Sequence, residues 1–208
     1  MSTQELPAQT DATMRELAGL IAPEADTLGE QLAAFVLEEV PAYRDVDSDE
    51  VRAVTITSGQ VNVGAIFSIL QFGIPPQSIG QPAGAVDFAH AMIHRGVDLA
   101  TILRTYRLGH DRLWDTWIAF AAERIADPVL LAAVTRRSSA LMFAYFDAVS
   151  QDIAADYDVE RERWLRSAAA VRDAVVEEVL AGTEDDAERA GLSLRHELRR
   201  HQIGRAHV

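Results

Sequence analysis

Residues 49–72, DEVRAVTITSGQVNVGAIFSILQF, decide between an all-helical chain and a mixed one. Their middle, Val54 to Val63, is rich in β-branched side chains and by propensity alone would pass for a strand. Two arguments favour a helix. Val51, Val54, Val61, Ala65, Ile69 and Phe72 recur at threes, fours and sevens, which line one face of a helix. No other stretch offers a partner strand. Ser48 or Asp47 caps the start, and Asp49 and Glu50 suit the positive end of the helix dipole. The predicted class is therefore all-α.

Upstream, a first helix fits Thr10–Ile21, with Met14, Leu17, Leu20 and Ile21 on one face. A second runs over about Ala22–Glu39, with Pro23 in its first turn and Pro41 ending it. Its inward residues are Leu28, Leu32, Phe35 and Val36, with Val40 at the end of the stripe. Downstream, Gly73–Pro82 holds three prolines and two glycines and reads as a loop. A short helix follows over Ala83–Arg95.

Residues 95–120, RGVDLATILRTYRLGHDRLWDTWIAF, then form a long amphipathic helix on which the earlier ones would pack. Asp98 is its cap, after a turn at Gly96. Leu99, Ile102, Leu103, Tyr106, Leu113, Trp117 and Phe120 share a stripe, widened by Trp114 and Ile118. His110 falls on that stripe, and Arg104, Arg107 and Asp111 line the next row. Gly109 costs a helix interior about 1 kcal/mol relative to Ala. One explanation is a close helix crossing at Gly109, with His110 hydrogen-bonded in the core and Asp111 paired with Arg107. The other is a small ligand pocket floored by Gly109, with Arg107 and His110 as its polar groups and Trp114 beside them.

From Pro128 to Ala181 there is neither glycine nor proline. Met142, Ile153, Trp164 and Val175 are spaced by eleven, as are Phe146, Tyr157, Ala168 and Val179. That period describes a nearly straight helix. The charged run Asp156–Arg163 is the natural place for a break. Its distal part would find no partner inside the domain, so Trp164, Ala168, Val171, Val175 and Val179 are expected to pair with a second copy. The predicted organisation is a helical domain over 1–157, a linker and dimerisation helix over 158–182, and a tail or the start of a following domain over 183–208.

The chain carries 32 acidic and 19 basic residues, a net charge of −13 that opposes nucleic-acid binding. Every basic residue is arginine, and the basic cluster Arg195–His201 is too short to reverse that field. There is no cysteine, no secretory leader and no unbroken apolar run of membrane-spanning length, so a cytoplasmic chain without a membrane partner is expected. Asp87, His90 and His94 lie on one side of the short helix, but a metal site would need further carboxylates, of which Glu38 and Glu39 are the inward candidates. His90, His94 and His110 are the candidates for a haem ligand. Ser138, Ser139, Asp152 and Asp156 show no nucleophile–base pattern. No metal, cofactor or enzymatic activity is expected.

Two stretches carry a resemblance. RGVDLATILRTYRLGHDRLWDTW resembles a segment of the N-terminal sensory domain of actinobacterial PucR/CdaR-type transcription regulators. That domain is related to the N-terminal domain of RsbRD-type RsbT co-antagonists, whose relatives include helical, non-haem globin-like dimers. ERERWLRSAAAVRDAVVEEVLAG resembles the helix by which such regulators leave the domain, and LSLRHELRRHQI looks like the opening of their middle domain. The likeness covers roughly residues 10–200, in hydrophobic pattern and without a catalytic signature. It implies a globin-like fold and a homodimer. The implied role is a signal-sensing module of a transcription regulator, here without a DNA-binding domain; a small-molecule effector is a candidate partner that the resemblance itself does not supply. The alternatives are a stressosome-like co-antagonist working by protein–protein contacts, and a haem- or metal-binding helical protein.

Overall fold

The computed structural model describes residues 5–44 and 48–180, with side chains on the last helix to residue 167 and at 169, 170 and 173. These residues form α1 (Glu5–Ile21), α2 (Ala25–Glu39), α3 (Asp49–Phe72), α4 (Ala83–His94), α5 (Leu99–Ala122) and α6 (Pro128–Leu180), joined by single 3-10 turns or short loops. Among the described residues there is no strand, so the chain is all-α.

The local signals act as their chemistry dictates. Ser48 Oγ accepts from the Val51 amide at 3.2 Å and opens α3. Asp98 Oδ1 accepts from the Thr101 amide at 2.8 Å and opens α5. Asp127 does the same for Val129 ahead of α6. Gly73 ends α3 at φ 68° and Gly96 turns the chain into α5 at φ 78°, a region that only glycine enters freely. Pro23 sits in a separate 3-10 turn, Ala22–Glu24, so α2 begins three residues later than its sequence pattern suggests.

α3, and not α5, is the helix that the others surround. It packs against α1, α2, α4 and α6, whereas α5 lies mainly on α2 and α6. The helix forms as its spacing predicts, but the buried face differs. Thr55, Ser58, Val63, Ile66, Phe67 and Leu70 are buried with Val51 and Ile69, while Phe72 is 66% exposed. Polar Thr55 and Ser58 can be inside because hydrogen bonds satisfy them: Thr55 Oγ1 donates to Val51 O at 2.6 Å, and Ser58 Oγ meets Tyr106 OH at 3.4 Å. A pattern built on apolar letters alone misses those two positions.

Backbones come closest at Gly29 and Gly59. A Cβ on Gly59 would stand 2.4 Å from Gly29 O, and one on Gly29 would stand 2.4 Å from Gln60 N. This is the crossing that the sequence suggested for Gly109, which has nothing within 4 Å of where its Cβ would be. The main core gathers Phe67, Leu70, Phe88, Met92, Ile102, Trp117, Met142 and Ile153. Trp117 Nε1 donates to Ser138 Oγ at 2.8 Å with both side chains fully buried, which gives Ser138 a structural task.

α6 is one helix of 53 residues and runs through Asp156–Arg163 without the expected break. At 1.5 Å per residue it is about 80 Å long. By length and mean hydropathy, α3 and the Pro128–Ser167 part of α6 are each apolar enough to cross a membrane, which a search for unbroken apolar runs does not register. For α3 the same apolarity is used inside the bundle.

Candidate functional site

The bundle leaves a cavity of about 80 Å³ where five helices meet. α2 contributes Leu32, Ala33 and Val36, and α4 contributes Phe88. α3 supplies Thr55, Ser58, Asn62 and Ile66 among others, and α6 supplies Tyr145, Phe146 and Val149. α5 closes it with Thr105, Tyr106, Gly109, His110 and Leu113. The room left by the missing Cβ of Gly109 is part of it.

Nearly all polar groups of the wall are spent on each other. Tyr145 OH donates to Asn62 Oδ1 at 2.9 Å, and Asn62 Nδ2 donates to Ser58 O at 2.7 Å. Tyr106 OH donates to Ala85 O at 3.3 Å. Thr105 Oγ1 donates to Thr101 O at 3.0 Å and is hydrogen-bonded to Tyr43 OH. This chain ties α3, α4, α5 and α6 around the cavity. Burial pushes the Tyr106 phenol up to about 12, and raises those of Tyr43 and Tyr145 still further, so all three stay neutral donors.

His110 is the exception. Its Nε2 is buried and has no hydrogen-bond partner, and the ring lies against Phe143 at 4.8 Å and Phe146 at 5.3 Å between centroids. Burial lowers the imidazole below its ordinary value, with the Asp111 charge acting in the opposite sense, so the ring is neutral near pH 7. Of the four residues expected in a pocket, Gly109 and His110 line the cavity. Arg107 is exposed and Trp114 packs against the core instead, and neither lines it. Helical geometry explains the split: Arg107 is three residues before His110, but one row round the helix and toward solvent. Arg104 and Asp111 on that row are exposed too, and Asp111 forms no ion pair with Arg107.

The second polar cluster joins α4 to α6. His90 Nε2 lies 2.6 Å from Asp156 Oδ2, and His94 Nε2 lies 2.7 Å from Glu160 Oε1. Both pairs are steps of four on their helices, so they stack as two rungs. Glu160 also pairs with Arg163, and Trp164 stacks on the His94 ring with centroids 4.3 Å apart. Burial works to raise the Glu160 carboxyl, but the His94 hydrogen bond and the His90, Arg163 and His94 charges outweigh it and hold the group below its ordinary value. Tyr157 OH adds a long bond to Val97 O at 3.4 Å. The charged run expected to break α6 is thus the run that fastens it.

This cluster also corrects the metal candidates. Asp87, Glu38 and Glu39 point to solvent, and the carboxylates that meet the histidines come from α6. Among the described residues no group of three His, Cys, Asp or Glu side chains converges as a metal site. With His90 and His94 engaged, His110 is the histidine among the described residues that lines this cavity, and that space is several-fold too small for a haem. The sequence showed half of the clasp, the His90/His94 spacing; its other half is 66 residues away. Of the residues expected at a dimer interface, Trp164 is half-buried on His94, while the side chains of Ala168, Val171, Val175 and Val179, and all of 183–208, lie outside the described residues.

Residues 26–172 match the family of the RsbT co-antagonist protein rsbRD N-terminal domain. That span covers α2 to α6, including the cavity and the clasp, and the chain belongs to this family. No curated protein and no solved structure matches the chain.

Proposed function

We propose that this rsbRD-type N-terminal domain is a signal-sensing and dimerisation module of a transcription regulator, with the cavity as its input and α6 as its output. The observation that carries this reading is the position of α6. Tyr145, Phe146 and Val149 form one wall of the cavity, and Asp156, Glu160 and Trp164, two to four turns later, form the clasp with α4. A molecule that enters the cavity presses on the same rigid helix that leaves the domain. It acts as an effector only through a difference in affinity between two packings of that helix. The exposed Val159 and Leu165, 52% and 42% accessible, lie on this distal stretch and suit a helix–helix contact with a second copy. The likeness to PucR/CdaR-type proteins set out above supports the regulator role, and the relatives of the RsbRD-type domain support a globin-like arrangement.

The test is the association state by light scattering of residues 1–208 against a version ending after Ser167. That end point keeps Trp164 and the clasp, whereas a cut near Asp156 would also remove Glu160. The reading predicts a dimer for the first and a weaker dimer, dissociating at higher concentration, for the second, which keeps Val159 and Leu165 but loses Val171, Val175 and Val179. Two monomers would sink the dimerisation role and leave α6 without an output.

A second reading is a co-antagonist, as the family's description has it, here acting through protein–protein contacts. The exposed Leu20, Phe72 and Phe143 favour it, at 59%, 66% and 53% accessible. It predicts capture of a partner without any ligand in the cavity.

A further inference from the structure

From the cavity wall we infer the chemical class of the effector: a small, uncharged molecule with a hydroxyl group that meets His110 Nε2 and an apolar body among Leu32, Val36, Leu113 and Val149. The inference rests on the reading of the cavity as the input site.

Four observations lead there. First, no Asp, Glu or Arg lines the cavity, and its one titratable imidazole is neutral. A carboxylate or an ammonium ion would give up its hydration and find no counter-charge, a cost of several kcal/mol. Second, the hydroxyls and the amide of the wall already have partners, so a ligand rich in polar groups would find its own left unpaired. Third, one polar atom among the lining side chains has no partner, His110 Nε2; it is covered in the empty domain, so the ring has to turn toward the cavity for a ligand to meet it. A neutral imidazole nitrogen either donates or accepts according to tautomer, and a hydroxyl can answer both. A lone water is a poor substitute, because an ordered buried water wants two to four polar partners. Fourth, about 80 Å³ is well below the ~150 Å³ of an apolar cavity that holds benzene, so the part of the occupant held inside the wall has only a few heavy atoms.

The experiment is a titration of the full chain followed by ¹⁵N NMR of the His110 ring. The probe is 2-propanol, with acetate and ethylammonium as charged counterparts of similar size and xenon as a filler that makes no hydrogen bond. The inference predicts saturable binding of 2-propanol with a shift of the Nε2 resonance, and no saturable binding of either ion. In H110F the affinity for 2-propanol falls about tenfold, the worth of one hydrogen bond, while xenon still binds and so reports an intact cavity. H110Q, which keeps a polar group in place, recovers part of the affinity and serves if H110F does not fold. Binding of acetate or ethylammonium equal to that of 2-propanol overturns the class. So does unchanged 2-propanol affinity in both variants. In either case xenon binding leaves the cavity as an input site for another ligand. If xenon also fails to bind the unaltered chain, the input site itself is lost.

Discussion

Among the described residues three histidines face other helices, and they are used in opposite ways. His90 and His94 each meet a carboxylate at hydrogen-bond distance and hold α4 to α6. His110, on α5, is set among Phe143 and Phe146 with its Nε2 unmet, beside unfilled space. The glycines repeat the contrast. Gly29 and Gly59 are needed because two backbones touch there, whereas Gly109 has open room where its side chain would be. The clasp and the crossing are thus fastened and satisfied. The cavity, although Gly59 of the crossing also lines it, keeps a polar atom and a volume in reserve, at some cost in stability, which is the arrangement expected where a ligand acts and packing alone does not decide the residue.

The glycines give the sharpest way to break this contrast. Gly59→Ala drives a Cβ into the α2 backbone and should cost about 3 kcal/mol or more, or prevent folding. Gly109→Ala meets nothing and should stabilise by up to about 1 kcal/mol through helix propensity. Denaturant melts of both variants check the sign as well as the size. Similar losses at the two positions would end the distinction.

The clasp comes next in size. Glu160 is 5% accessible and shared between His94 and Arg163, so Glu160→Ala should cost about 1–2 kcal/mol, less than a fully buried pair because both partners reach solvent. The same variant should speed amide exchange in the part of α6 beyond residue 153 and leave α3 unchanged.

The smallest effect is on pH dependence, and its sign differs between the two regions. His110 has a lowered pKa in the folded chain, so between that value and about 6.5 the unfolded chain binds more protons. Its contribution is therefore present above that range and lost as pH falls through it. Glu160 is also lowered, so its contribution holds above the ordinary carboxylate value and fades only at lower pH. Stability should fall in two acid steps, and H110F should remove the upper one. Melting curves from pH 7.5 to 3.5 check this; an unchanged upper step in H110F would show that His110 is not the group.

How much of this was legible beforehand follows from the kind of signal. Caps at Ser48 and Asp98 and the stop at Gly73 are written in neighbouring residues, and each is found where the sequence puts it. The β-branched run of α3 is a helix because its apolar spacing outweighs strand propensity. The buried face was misjudged because Thr55 and Ser58 go inside on hydrogen bonds, which hydropathy does not register. Gly109 and His110 were marked by oddity alone, a glycine and a histidine on an apolar stripe. Nothing local could show that Gly109 opens a cavity while Gly29 and Gly59 make the crossing, since that depends on which helices meet. The clasp was hidden for the same reason: Asp156 and Glu160 look like a solvated charged run until α4 is placed beside them.

The most direct test of the central claim is amide exchange across α6 with the cavity empty and filled with xenon. The account predicts a change in protection at Tyr145–Val149 and also at residues 153–164, where α6 touches no part of the cavity. A change confined to the lining residues, with 153–164 untouched, would contradict it: the cavity would be a packing defect, and α6 would carry nothing from it.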